Sequence, residues 1–166
     1  MKTGNIILIG MPGVGKSTLG ILLAKSLGYQ FIDTDIILQN QKGRLLHEIL
    51  SEEGIEKFIK IEETIIKSII CSDAVIATGG SVVLSDSAMD YLIKSGIVIY
   101  LDLDIETIIK RINNIQVRGI VKDTVQTLQD IHRIRIPLYK KYSNISINCN
   151  NKDQEQIVNE ILKALC

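Results

Sequence analysis

Asn5-Ile6-Ile7-Leu8-Ile9-Gly10-Met11-Pro12-Gly13-Val14-Gly15-Lys16-Ser17-Thr18 is the stretch that decides the fold. Its first five residues form a short, largely β-branched apolar run ending at glycine, the pattern of a strand covered on both faces. From Lys16 to Leu27 the apolar residues Leu19, Leu22, Leu23 and Leu27 recur at helical spacing, and Gly28 supplies a stop just past the end. Between strand and helix, Gly10 and Gly15 stand first and sixth and are followed by Lys16 and Ser17, which is the P-loop spacing in its proper context. Several backbone N–H groups must converge on phosphate oxygens, so positions are needed where a Cβ would block the approach or the required φ. Gly10, Gly13 and Gly15 meet that need. The helix start adds partial positive charge, Lys16 is predicted to bridge the outer phosphates, and the Ser17 hydroxyl to ligate magnesium. The predicted nucleotide-binding residues are therefore Gly13, Val14, Gly15, Lys16, Ser17 and Thr18, with ATP and Mg2+ as cofactors. The bland alternative, a glycine-rich turn that only joins strand to helix, leaves the intact Gly-Lys-Ser unexplained.

Outward from this stretch, strand and helix alternate. Strands are predicted at Gln30 to Asp33, Ala74 to Ala77, Ile97 to Leu101 and Ile145 to Asn148. Arg44 to Lys67 reads as two helices broken at Gly54, the second burying Phe58, Ile61, Ile65 and Ile69. Further helices run through Met89 and Leu92, over Ile105 to Ile112, up to Lys141, and after a capping-box pair, Asp153 and Gln156. Such alternation predicts an α/β fold with a parallel sheet and helices on both faces. No repeat or linker divides the 166 residues, so residues 1–166 are expected to form one domain. Apolar residues make up 46% and aromatics only 4%, so Ile, Leu and Val must fill the core.

Composition also narrows the partners. With 19 basic and 19 acidic residues the chain has no global field to hold nucleic acid or a membrane surface, and any phosphate binding must be local. Cys71, Cys149 and Cys166 match neither a disulfide framework nor a zinc site, which fits a reducing cytoplasm. No signal-peptide pattern or membrane-length apolar run is present in the sequence, and without a long apolar seam the expected state is a monomer.

Phe31-Ile32-Asp33-Thr34-Asp35 places two carboxylates at the carboxyl end of the second strand, where open α/β sheets build their sites. One suits the magnesium shell; the other suits a hydrogen bond from a substrate hydroxyl, orienting it and taking its proton. The polar, irregular stretch 113–123 around Arg118 has the length of a lid, and a lid over a phosphate needs a cation that arrives on closure. His47 and His132 lie in helical stretches without partners at metal spacing and read as structural. Glu62 and Glu63 are expected on a solvated helix face.

Gly10 to Thr18, the Asp33/Asp35 pair, Thr78-Gly79-Gly80, Arg118 and Arg135-Ile136-Pro137-Leu138-Tyr139 together resemble the shikimate kinase family, over essentially the whole chain. The resemblance implies a three-layer P-loop kinase fold with a five-stranded parallel sheet of order 2-3-1-4-5 and a mobile lid. It implies transfer of phosphate from ATP to the 3-hydroxyl of shikimate, a small hydroxylated substrate, within aromatic amino-acid biosynthesis. By the same resemblance Lys16, Asp35 and Arg118 are catalytic, and Asp33 stands with Ser17 on the metal side. Asp35, Gly79, Gly80 and Arg135 would line the acceptor pocket, within a region spanning about 33–63, Arg135 gripping the carboxylate. Arg111 would pack against adenine.

The likeness breaks on the acceptor side. The family pattern has an arginine directly after Phe58 that shares the substrate carboxylate, and this chain has Ile59. Loss of a bidentate guanidinium contact removes a major determinant of acidic-substrate recognition. Ser81 replaces a third glycine, and Gly119 follows Arg118 where proline is usual. Lys57 and Lys60 point roughly 100 to 200 degrees away around the helix axis, which makes rescue awkward. Two alternatives follow: a related enzyme acting on another polyol or sugar acid, or a catalytically silent nucleotide-binding module.

Overall fold

In a computed structural model, residues 4–113 and 127–166 are described. Arg118 and nearly all of the expected lid fall outside them. The described residues form one five-stranded sheet of order β2-β3-β1-β4-β5, made of β1 (Asn5–Ile9), β2 (Gln30–Asp33), β3 (Ala74–Ala77), β4 (Gly96–Asp102) and β5 (Ile145–Asn148). Every neighbouring pair is parallel. The central place of β1 follows from its composition: Ile6 to Ile9 are fully buried, whereas the edge strands β2 and β5 keep exposed positions.

Helices flank the sheet: α1 (Lys16–Leu27), α2 (Thr34–Lys42), α3 (Leu46–Glu53), α4 (Ile55–Ser68), α5 (Asp86–Ser95), α6 (Ile105–Asn113), α7 (Leu128–Tyr142) and α8 (Gln154–Ala164). The break at Gly54 is observed, at φ 76, and Gly28 closes α1 at φ 70. One element departs from expectation. The sequence pattern ends the strand at Asp33 and marks no helix between there and Arg44, yet Thr34 begins α2, because the Asp33 carboxylate caps it by accepting from the Asp35 and Ile36 amides at 3.0 and 3.3 Å. Two apolar clusters result. The larger surrounds the sheet, while Leu38, Ile49, Phe58 and Ile65 form a second beneath α2, α3 and α4. The acceptor side thus has its own small core.

The β1–β3 pairing is locked at its start by Asn5, which is 4% exposed. Its side-chain oxygen accepts from the Ala74 amide at 3.2 Å and its side-chain nitrogen donates to the Cys71 carbonyl at 3.0 Å. Asn5→Ala would strand both groups, and a loss of about 2–4 kcal/mol is expected in urea unfolding; an unchanged midpoint would show the bridge to be dispensable.

Candidate active site

The turn from β1 to α1 holds its glycines at φ values that side chains avoid: 146 at Gly10, 87 at Gly13 and 105 at Gly15. Gly10 also has no room for a Cβ, which would approach the Leu101 carbonyl oxygen at 2.8 Å. Gly15 is the N-cap of α1, and no side chain caps it among the described residues, so the first amides of the helix remain for an anion. Lys16 is 8% exposed, and its Nζ donates to the Gly10 and Met11 carbonyls at 2.7 and 3.0 Å. Beside it the Ser17 hydroxyl donates to Asp33 Oδ2 at 2.6 Å.

Three spaces meet at this turn. A small cradle is lined by Gly13, Gly15, Lys16, Ser17, Thr18 and Asp35. On one side a cleft of about 500 Å³ lies between Arg111 and the turn at 152–155. The Arg111 guanidinium donates to the Val14 carbonyl at 3.2 Å, which ties α6 to the loop. On the other side a cavity of about 300 Å³ is lined by Asp35, Gly79, Gly80, Ser81, Arg135 and Phe58, among others. Ser17 and Asp35 face both the cradle and this cavity. The sequence-predicted residues from both sides of the site are therefore in one place, apart from Arg118, which lies outside the described residues.

Loops from β3 carry the cavity floor. Thr78 donates to the Leu8 carbonyl from its amide at 3.2 Å and from its hydroxyl at 3.0 Å, and the Gly79 amide donates to the Thr34 hydroxyl at 3.2 Å. The Tyr139 hydroxyl donates to the Gly80 carbonyl at 2.6 Å, and its ring stacks on Tyr100 with centroids 5.2 Å apart. Burial pushes the Tyr139 hydroxyl up to about 12, so it stays a donor. Arg135, in the same helix, is 3% exposed and lines the cavity, while Arg133 is solvated and paired with Asp130 at 3.0 Å. Neither Lys57 nor Lys60 fills the role of the missing guanidinium. Both are exposed, and Lys57 pairs with Glu53.

Glu62 contradicts the expectation of a solvated face: it is 3% exposed, beneath the cavity floor. Its Oε2 accepts from the Ser81 hydroxyl at 2.8 Å, while Oε1 has no hydrogen-bond partner among the described residues. Burial first, and then the charge of Asp35, push its carboxyl up to about 7. The signal was present in the sequence, since position 62 falls on the same helical stripe as Phe58 and Ile65. Glu63 is half-buried and pairs with Lys67 at 2.6 Å.

The donor set suits magnesium. Among the described residues no group of three or more His, Cys, Asp or Glu side chains is arranged to hold a metal ion. A hydroxyl and a carboxylate side by side, as at Ser17 and Asp33, are what Mg2+ uses when phosphate and water complete its shell. No helix among the described residues is long and apolar enough to cross a membrane.

A glycine turn that presents helix amides, a buried lysine, and a neighbouring polar cavity at the carboxyl edge of a 2-3-1-4-5 sheet define a P-loop small-molecule kinase. A sequence model of shikimate kinase matches residues 12–166. A shikimate kinase from Sulfurihydrogenibium sp. is 33% identical over 162 residues, 97% of either chain, and one from Haemophilus influenzae is 36% identical over 165 residues, 97% of this chain and 92% of the relative. The structure of a shikimate kinase from Acinetobacter baumannii in complex with shikimate superposes with a TM-score of 0.90 at 29% identity, covering 97% of this chain and 92% of that one. The chain belongs to the shikimate kinase family.

A Cβ at residue 79 would meet the carboxyl ends of Glu62, at Oε1, and Asp35, at Oδ1 2.8 Å away, and both would have to give way. Gly79→Ala is expected to cost about 1–3 kcal/mol in urea unfolding. A neutral result would mean that the two carboxyls are not held against this position.

Proposed function

We propose that this chain transfers the terminal phosphate of ATP to a hydroxyl group of shikimate. The observation that carries the proposal is the continuity of the site: Asp35 and Ser17 face both the phosphate cradle and the 300 Å³ cavity that Arg135 lines. Phosphoryl transfer asks for positioning and charge stabilisation more than covalent chemistry, so a donor and an acceptor space sharing one wall is the needed arrangement.

In this reading the amides of 13–18 and the Lys16 ammonium hold the phosphates. Adenine lies in the cleft between Arg111 and the turn at 152–155. Asp35 accepts a hydrogen bond from the acceptor hydroxyl, aligns its oxygen with the terminal phosphorus, and takes its proton as the new oxygen–phosphorus bond forms and the bond from that phosphorus to the departing ADP oxygen breaks. Gly79 and Gly80 let the acceptor approach the backbone, and Arg135 pairs with its carboxylate. Ser17 and Asp33 are the residues that would hold Mg2+, which when bound would supply positive charge against the outer phosphates. Arg118 is assigned to closure over the transferring group. The absence of an apolar seam in the sequence supports a monomer, the neutral charge a small-molecule rather than a polyanionic partner, and the unpaired cysteine pattern a reducing cytoplasm.

Ile59 favours a second reading, in which the acceptor is a less acidic polyol or sugar acid, because only Arg135 is then left for a carboxylate. ADP release with a panel of hydroxyacids, polyols and nucleotides separates the two. Turnover with shikimate is expected; turnover with another acceptor alone would overturn the assignment, and silence with all of them would leave a nucleotide-binding module. Lys16→Ala is expected to lower turnover by at least about a hundredfold, and an active variant would show the phosphate assignment to be wrong. Ile59→Arg is expected to lower the KM for shikimate by about tenfold, the worth of one charge-assisted contact; an unchanged KM would mean that position 59 does not face the carboxylate.

A further inference from the structure

Glu62 has chemistry that the mechanism above does not use. Its carboxyl is buried behind Gly79 and Ser81, which line the acceptor cavity, and its Oε1 has no partner among the described residues. Oε1 and Asp35 Oδ1 crowd the same side of Gly79, where a Cβ would meet both. Two like charges so placed cannot both ionise cheaply. On its own helix, Ile59, three positions earlier and therefore a neighbour, offers no compensating charge. The groups that face Glu62 from other elements are Lys16 of α1, Asp35 of α2, the Ser81 hydroxyl, and Arg135 and Tyr139 of α7.

We propose that Glu62 is a positioning residue that sets the charge of the acceptor cavity and thereby couples binding of a carboxylate-bearing acceptor to uptake of a proton. As the neutral acid it leaves Asp35 as the one negative group over Gly79 and leaves Arg135 to the acceptor's carboxylate. As the carboxylate it draws Arg135 toward itself and repels the incoming anion. Burial and the Asp35 charge place this change near neutrality, at about 7, against the opposite pull of Ser81, Arg135 and Lys16. The sign follows from linkage. The bound anion raises the affinity of Glu62 for its proton, so acceptor binding is strongest below the carboxyl's own value in the ligand-free protein. Binding weakens as pH rises through that value.

The inference rests on the assignment of shikimate as acceptor, and the test separates the two. Shikimate is titrated calorimetrically into the full chain without nucleotide, whose own phosphates ionise in this range, at pH 6, 7 and 8. Buffers of low and high ionisation enthalpy count the protons. For the wild type the Kd is expected to rise about tenfold from pH 6 to pH 8, the limit for one coupled proton, with uptake at pH 8 approaching one proton per shikimate. Glu62→Gln, which keeps the shape and accepts from Ser81, is expected to give a flat Kd near the low-pH value and no uptake. Ser81→Ala removes the hydroxyl that favours the ionised form and is expected to move the rise to higher pH. A flat wild-type Kd without proton uptake, a measurement that needs no variant to fold, would overturn the proposal, as would a rise retained in Glu62→Gln. Absence of shikimate binding at every pH would instead overturn the acceptor assignment and this proposal with it.

Discussion

Between β1 and α1 the chain must pass from a fully buried strand to a helix whose first amides point away from the sheet, and it does so through glycines at positive φ. That turn fixes everything around it. Because β4 pairs beside β1, a Cβ at Gly10 would press on the Leu101 carbonyl, and Lys16 reaches back to the Gly10 and Met11 carbonyls, so the loop is shaped by the protein itself. Preorganisation of this kind means that a phosphate meets donors already aimed, and the cost of ordering them has been met by folding.

The acceptor side is attached to this frame by few but well-placed contacts. Ser17 to Asp33 joins the start of α1 to the end of β2, Thr34 to Gly79 joins α2 to the loop after β3, and Tyr139 to Gly80 joins α7 to the same loop. The apolar cluster of Leu38, Ile49, Phe58 and Ile65 then supports the cavity separately from the sheet. A helical wall with its own core and hydrogen-bonded hinges at its base is suited to change its lining residues while leaving the nucleotide side unaltered. Ile59 and Ser81, both departures from the family pattern, lie on that side.

How much could be read from the sequence depended on how local the determinant was. Asn5 to Ile9 announced a central strand because burial on both faces demands an unbroken apolar run, and α1 announced its limits because Gly15 and Gly28 sit in conformations that other residues avoid. The Asp153/Gln156 capping box appeared as expected, with bonds of 2.9 and 2.8 Å. The start of α2 is not marked in the sequence because Asp33 both ends β2 and caps the next helix. Glu62 was misread for a different reason. Its spacing placed it on the buried stripe of α4, but a carboxylate belongs there only if something distant receives it, and Ser81 lies 19 residues away. Helical spacing alone does not tell Arg135 from solvated Arg133, and only the family resemblance marks Arg135; the structure buries Arg135 beside Tyr139 and leaves Arg133 in solvent.

The glycine at the head of α1 has one more consequence. At a helix start a serine or aspartate outranks glycine by only a few tenths of a kcal/mol, and at φ 105 either would be strained, so the chain leaves this cap without a side chain. Since α1 carries Leu19, Leu23 and Ala24 into the main apolar cluster, its integrity bears on the whole molecule. Anything anionic that docks on those amides adds its binding free energy to the native state alone, so resistance to unfolding rises with the logarithm of ligand concentration. Thermal endurance is on this view a property shared with the surrounding nucleotide pool, and a depleted cell would hold a more fragile protein than a well-fed one.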